Sequence, residues 1–254
     1  VDAILWCGYP GQAGGAAIAD ALFGTTEPSG KLTQTWYKEE FLSQVALTDM
    51  AMRPSEATGS PGRTYRFYTG TPLYSFGHGL SYSARTVDLS LHQAKTAKAE
   101  YPRAGEPGLF QRIRAQLAMS NDPPAHSADR AQSGRSRSLG LQSRPGAHGV
   151  AMKAVTLATA TVVVRSQSTR DAEQVVLLFA SPPSGTHGAP RASLAAFRRL
   201  HVRAGAVVTI SIPISAVELS IADETGMLAA IKGEWTFWVG SSGSPEAVAT
   251  LLVA

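Results

Sequence analysis

A single cysteine in 254 residues removes two kinds of architecture at once. Cys7 has no partner for an internal disulfide, and no thiolate cage can be assembled around a metal. Its neighbours Leu5, Trp6 and Gly8 point to a small buried hydrophobe rather than a reactive thiol. The histidines are also sparse. His78, His92, His126, His148, His187 and His201 are scattered, none within three to five residues of another, so no zinc motif is written here. No apolar run approaches the ~20 residues that cross a bilayer, and no membrane partner is expected. The chain opens on Val1, with no initiator methionine, basic leader or signal-like apolar segment, and therefore reads as a piece of something longer.

An excess of charge of either sign is missing from most of the chain as well. The net charge is +4, but residues 93–150 hold nine Lys/Arg against four Asp/Glu, whereas the rest holds 14 basic and 15 acidic residues. Basicity is thus confined to one segment. There Ser, Arg, Ala, Gly, Pro and Gln dominate, a composition that cannot bury enough apolar surface to offset its ordering entropy. Residues 93–149 are read as a disordered, low-complexity insertion, with one short helix possible over 109–119. Arg130, Arg135 and Arg137 cluster, yet no aromatic side chain stands beside them to stack on bases, so no nucleic-acid partner is expected.

Residues 1–84 have α/β character. Residues 3–7 form a short continuous apolar run, the pattern of a strand covered on both faces. A glycine-rich turn follows, then a helix expected from about Gly14 to Phe23. Ile18, Ala21 and Leu22 share one face of it, and Gly24 stands at its C-terminal end. Residues 31–37 alternate Leu32, Gln34 and Trp36 as a strand would. From Met50 to Ser83 aromatics and glycines predominate and no helical period is visible. The glycine-rich turn is not a phosphate loop, because no Gly-Lys-Ser/Thr follows and the dinucleotide spacing is absent. No Gly-x-Ser-x-Gly elbow exists; Gly240-Ser241-Ser242-Gly243 is read as a turn.

Residues 85–254 read as all-β. Strands are expected around 86–91, 161–164, 175–179, 194–202, 207–212, 235–239 and 248–253. Seven strands over about 100 ordered residues have the rhythm of an immunoglobulin-like sandwich.

Two blocks in the first part then carry a family resemblance. One is Ala3-Ile4-Leu5-Trp6-Cys7-Gly8-Tyr9-Pro10-Gly11-Gln12-Ala13-Gly14-Gly15, continued by Ala19-Asp20-Ala21-Leu22-Phe23-Gly24, Pro28-Ser29-Gly30-Lys31-Leu32 and Thr35-Trp36-Tyr37. The other is Met52-Arg53-Pro54, Pro61-Gly62-Arg63-Thr64-Tyr65-Arg66-Phe67-Tyr68 and Tyr74-Ser75-Phe76-Gly77-His78-Gly79-Leu80-Ser81-Tyr82. Together they resemble the end of the α/β-sandwich domain of family 3 glycoside hydrolases, in the β-xylosidase and α-arabinofuranosidase branch. The β part resembles the fibronectin type III-like domain of the same enzymes. Pro190, Leu194 and Phe197 follow its Pro-x-x-x-Leu-x-x-Phe stretch, while Arg165-Ser166-Gln167-Ser168 departs from its usual Asn-x-Gly turn.

The resemblance implies a secreted, retaining exo-β-glycosidase that releases single sugars from β-linked, xylan-derived oligosaccharides. In that family the aspartate nucleophile sits on an N-terminal barrel, and the acid/base glutamate lies earlier in the α/β-sandwich domain. No residue of this chain matches either motif. No catalytic, cofactor-binding or metal position is therefore assigned, no cofactor is expected, and substrate would be held through the N-terminal domains. The chemistry needs two facing carboxyl groups. Of Asp2, Asp20, Glu27, Glu39, Glu40, Asp49 and Glu56, nothing in the sequence singles out a pair. Arg63, Tyr65 and His78 are read as anchors that lock the two parts together, in preference to the alternative that they support or rim the sugar cleft. The competing expectation is a carbohydrate-binding or adhesion module, which would present coplanar aromatics on one β face; burial of Trp235, Phe237 and Trp238 would count against it.

Overall fold

The computed structural model describes residues 2–94, 156–222 and 228–253. Most of the expected insertion, including the helix anticipated over 109–119, lies outside the described residues.

The sandwich is present, and its strands are longer than the apolar runs that announced them. A three-stranded sheet has the order β1 (Arg85–Gln93), β2 (Thr156–Ser166), β5 (Val207–Ser215). A four-stranded sheet has the order β4 (Ser193–Val202), β3 (Ala172–Ser181), β8 (Gly233–Gly240), β9 (Pro245–Val253). All of these pairings are antiparallel. A small ribbon of β6 (Ser220–Ala222) and β7 (Leu228–Ala230) was not foreseen, since three residues leave no periodic signal.

Alternation places the core. On β2, Ala158, Ala160, Val162 and Val164 are fully buried, with half-buried or exposed residues between them. They meet Val176, Leu178, Ile212, Ile214, Phe237 and Val239 across the two inner faces. Strand β3 breaks the alternation. Val176 to Ala180 are buried without interruption, because this strand is covered on both faces. Leu178 points into the sandwich, while Leu177 and Phe179 belong to a second cluster on the outside of the sheet with Trp238 and Ala192. Tyr65 and Phe76, from the first part of the chain, close that cluster.

The first part is built of loops around short helices: α1 (Gly14–Leu22), α2 (Phe41–Gln44) and α3 (Thr64–Phe67). Helix α1 ends as expected. Gly24 takes φ 73°, its N–H donates to the Ala21 carbonyl at 3.2 Å, and Thr26 N–H reaches the Asp20 carbonyl.

Three expectations fail here, and two share a cause. Residues 3–7 are not a strand: Ile4, Leu5 and Trp6 are exposed, and Cys7 is exposed too. A buried parallel strand takes its hydrogen bonds from neighbours on both edges, and no described strand lies beside this run. Residues 31–37 run beside 73–78 without forming a continuous strand. Leu32 exchanges backbone bonds with His78 and Gly77 (2.8 and 2.7 Å), and Trp36 with Tyr74 and Leu73 (2.9 and 2.7 Å). A bend at Thr33 and Gln34 breaks the ladder between those two points.

Candidate functional site

The seam between the loop-rich segment and the sandwich brings together a cluster of aromatic rings and a network of polar side chains. Its apolar half is a run of rings. Tyr65 stacks on Phe76 at 4.4 Å between centroids, both meet Phe179 edge-on, and Phe179 stacks on Trp238 at 5.4 Å. The Leu194 N–H donates to the Tyr65 hydroxyl at 3.2 Å, so this phenol is held by both parts of the chain. Gly77, at φ 83°, lies where a Cβ would come within 2.7 Å of Leu177 Cδ1. Only a residue with no side chain permits that approach.

The polar half centres on Glu27. Its Oε1 accepts from Ser81 Oγ at 2.5 Å and from the Tyr82 N–H at 2.8 Å, and its Oε2 accepts from Ser83 Oγ at 3.0 Å. Gln174, buried on β3, donates to Ser81 Oγ at 3.4 Å and accepts from Arg85. Arg85 also donates to both Glu246 oxygens, at 2.9 and 3.2 Å. Lys31 donates to the Gly79 carbonyl. Burial, aided by the Arg85 charge, holds the Lys31 ammonium below the usual lysine range against the opposing pull of Glu246 and Glu27.

Of the three anchors expected from the sequence, Tyr65 alone crosses the seam by its side chain. Arg63 donates from Nη2 to the Ala46 and Asp49 carbonyls (2.9 and 2.6 Å), and the His78 ring stacks on Tyr74 at 5.1 Å. Both tie loops within the first part. The crossing bonds that sequence reasoning missed come from main-chain groups and from arginines. Ser242 N–H donates to Phe76 O, Arg191 N–H to Arg66 O, and Arg191 Nη1 to Tyr68 O. Arg53 and Arg170 reach Gly188 O and Gly24 O. No local pattern in the sequence pairs residues more than 100 positions apart.

Of two cavities, the first is lined from both parts of the chain and the second from the first part. One, of about 100 Å³, is lined by Arg53, Arg66, Phe67, Ser193, Glu218 and Ser220 among others; Glu218 is the sole carboxylate among the described residues of its wall, and Ser215 already occupies that group through its N–H and hydroxyl (2.8 and 2.5 Å). The other, of about 390 Å³, has Lys38, Glu40, Phe41, Gln44, Tyr68 and Thr69 in its wall, with Glu40 as its sole carboxylate. Burial, then Tyr37 and Glu40, push the Tyr68 phenol above its ordinary value. Asp2, Asp20, Glu39, Glu40 and Glu56 are exposed, Asp49 caps the Ala51 N–H at 2.8 Å, and Glu27 is spent on the serines of the seam. Among the described residues no group of three or more His, Cys, Asp or Glu side chains could hold a metal ion, and no helix is long and apolar enough to cross a membrane.

Residues 1–82 match the Glycosyl hydrolase family 3 C-terminal domain, and residues 174–243 match the Fibronectin type III-like domain. The chain carries the C-terminal region of glycosyl hydrolase family 3. Over 249 residues this family 3 region is 33% identical to Beta-xylosidase/alpha-L-arabinofuranosidase 2 of Medicago sativa subsp. varia, matching 98% of the chain and 28% of that protein. It is 36% identical over 244 residues to Beta-D-xylosidase 1 of Arabidopsis thaliana, matching 94% of the chain and again 28% of the relative. A family 3 exo-β-xylosidase structure superposes with a TM-score of 0.66 at 25% identity, covering 97% of this chain and 27% of that one. The β-D-glucoside glucohydrolase of Trichoderma reesei shares the fold, with a TM-score of 0.67 at 23% identity, covering 98% and 30%. The family 3 region thus spans little more than a quarter of the relatives it matches.

The competing module reading loses its main support in the sandwich itself. Trp235, Phe237 and Trp238 are buried at 2%, 0% and 8% exposure. Both indole N–H groups are satisfied internally, Trp235 by Ile231 O and Trp238 by Ser241 O, each at 2.9 Å. Rings fixed in this way offer no platform to a sugar.

Proposed function

We propose that this chain is the non-catalytic C-terminal portion of a retaining, exo-acting β-glycosidase of the β-xylosidase kind, which hydrolyses O-glycosyl bonds in xylan-derived oligosaccharides. The observation that carries the reading is similarity to proteins named as xylosidases along nearly the whole chain, at 33 to 36% identity. Chemistry supplies the second half. A retaining glycosidase needs two carboxyls about 5 Å apart across the scissile bond, whereas among the described residues each cavity has one carboxylate in its wall. The nucleophile and the acid/base then belong to parts of the longer relatives that this chain does not span. The role left to it is to complete the α/β fold and brace it with the sandwich. Export from the cell, where such substrates are met, belongs to the same proposal.

The test is an assay of this polypeptide on 4-nitrophenyl β-D-xyloside beside a protein extended by the family's N-terminal domains. No turnover above background is expected for the chain, with xylose released by the extended protein. Turnover by the chain alone overturns the assignment of the carboxylates. Failure of a correctly folded extended protein on β-xylosides overturns the substrate class.

A further inference from the structure

We infer that the fibronectin type III-like sandwich does not fold as a separate unit: residues 61–83 are an integral cover of its four-stranded sheet, and the two unfold together.

Free-standing antiparallel sandwiches leave the outer face of each sheet to water and show it by alternating apolar with polar residues. Strand β3 does not alternate. Its outward Leu177 and Phe179, with Trp238 of β8, are as buried as the inner core. Tyr65 and Phe76 cover them, together with the backbone at Gly77, which stands against Leu177 and the Ser241 main chain. Lifting the cover would expose a contiguous patch of large apolar side chains, which single soluble domains rarely tolerate. The same movement would break the bond between Ser81 and Gln174, a side chain that is buried in the covered sheet.

The dependence runs the other way too. Between residues 50 and 83 the described chain has one helical turn and no strand, apart from two isolated bridge contacts. This segment's order comes from what it rests on. Thr64 is the one described non-glycine residue with positive φ, at 60°. A β-branched residue holds that conformation only where its surroundings over-determine it, here through the Tyr37 hydroxyl that accepts its N–H at 2.6 Å and the Tyr65 ring that follows it onto the sheet. Interfaces between separable domains are more polar and open by rigid-body movement. This one interlocks rings and main chain, and coupling between its two sides is reciprocal.

Hydrogen exchange of the whole chain, followed by mass spectrometry of its peptides in mild denaturant, tests the inference with two variants. Val162→Ala opens the inner core on the opposite sheet, far from the cover. Tyr65→Phe removes one bond of the cover and leaves its ring. Under coupling, Val162→Ala speeds exchange by about ten-fold or more, by the same factor in peptides from 61–83, β2 and β3. Tyr65→Phe gives a smaller factor, again shared by all three. If Val162→Ala accelerates the sandwich alone while 61–83 keeps its rate, the inference is overturned. Acceleration by Tyr65→Phe confined to 61–83 overturns it equally, and that arm stands even where the alanine variant does not fold.

Discussion

Replacing Phe179 by alanine is the most direct probe of the two-faced strand. The ring is fully buried on the outside of the sheet, in contact with Tyr65, Phe76 and Trp238. A phenylalanine buries roughly 150–250 Å², which at about 25 cal/mol per Å² is some 4–6 kcal/mol. Compactness of the unfolded chain and the retained Cβ reduce that, while the cavity left behind adds to it, giving a net loss of about 3–5 kcal/mol. The measurement is urea denaturation followed by tryptophan fluorescence. The midpoint should fall at unchanged slope, and the thermal midpoint should drop by roughly 2–4 °C for each kcal/mol in a chain of this size. Phe237→Ala, on the inner face of β8, is the internal standard and should cost about as much. A loss below about 1 kcal/mol for Phe179→Ala beside a large loss for Phe237→Ala would refute the claim that the outer face is core, since a solvated surface substitution costs about that little.

Further outcomes follow from the same contacts. Gly77→Ala imposes a left-handed conformation on a Cβ that also meets Leu177; it should destabilise by about 2 kcal/mol, with calorimetry as the readout. Glu27→Gln keeps the size of the side chain but removes the charge that accepts from Ser81, Tyr82 and Ser83; a loss of about 1–3 kcal/mol is expected in urea titrations at pH 7. At Glu173, burial raises the carboxyl pKa, but hydrogen bonds from Arg199 and His201 outweigh it and leave the group below its ordinary value. A carboxylate with a depressed pKa in the fold adds stability that is present above the unfolded value and is lost as pH falls through the folded one. Glu173→Gln should therefore flatten the decline of the thermal midpoint in the window below pH 4.5. Equal slopes for both proteins below pH 4.5 would remove the argument.

What could be read from residue order alone had a physical boundary. The strands of the sandwich were legible because each is an apolar or alternating run ended by turn residues, and Gly24 was legible as a helix end because its conformation is local. Residues 3–7 misled for the opposite reason. Their composition reports the burial that a strand wants, but hydrogen-bonding neighbours decide whether it forms, and none stands beside this run among the described residues. Cys7 followed the same error. The seam was half visible: Tyr65 was expected as an anchor, and the string around it marked the region. Its partners Gln174, Arg191 and Leu194 lie over 90 positions away, and their pairing with the first part is a property of the sheet's register. The second face of β3 was present in the unbroken run Val175-Val176-Leu177-Leu178-Phe179, which says that both sides are covered without saying by what.

That run has a bearing on how the chain is made. Five consecutive β-favouring apolar residues without charge or proline form the kind of stretch that pairs with copies of itself when bare. Synthesis proceeds from the N-terminus, so residues 61–83 leave the ribosome before β3 does. The strand with the greatest appetite for self-association thus emerges into the presence of the segment that sheathes it, and any rearrangement placing that segment after the sandwich would expose a sticky intermediate that the natural order avoids.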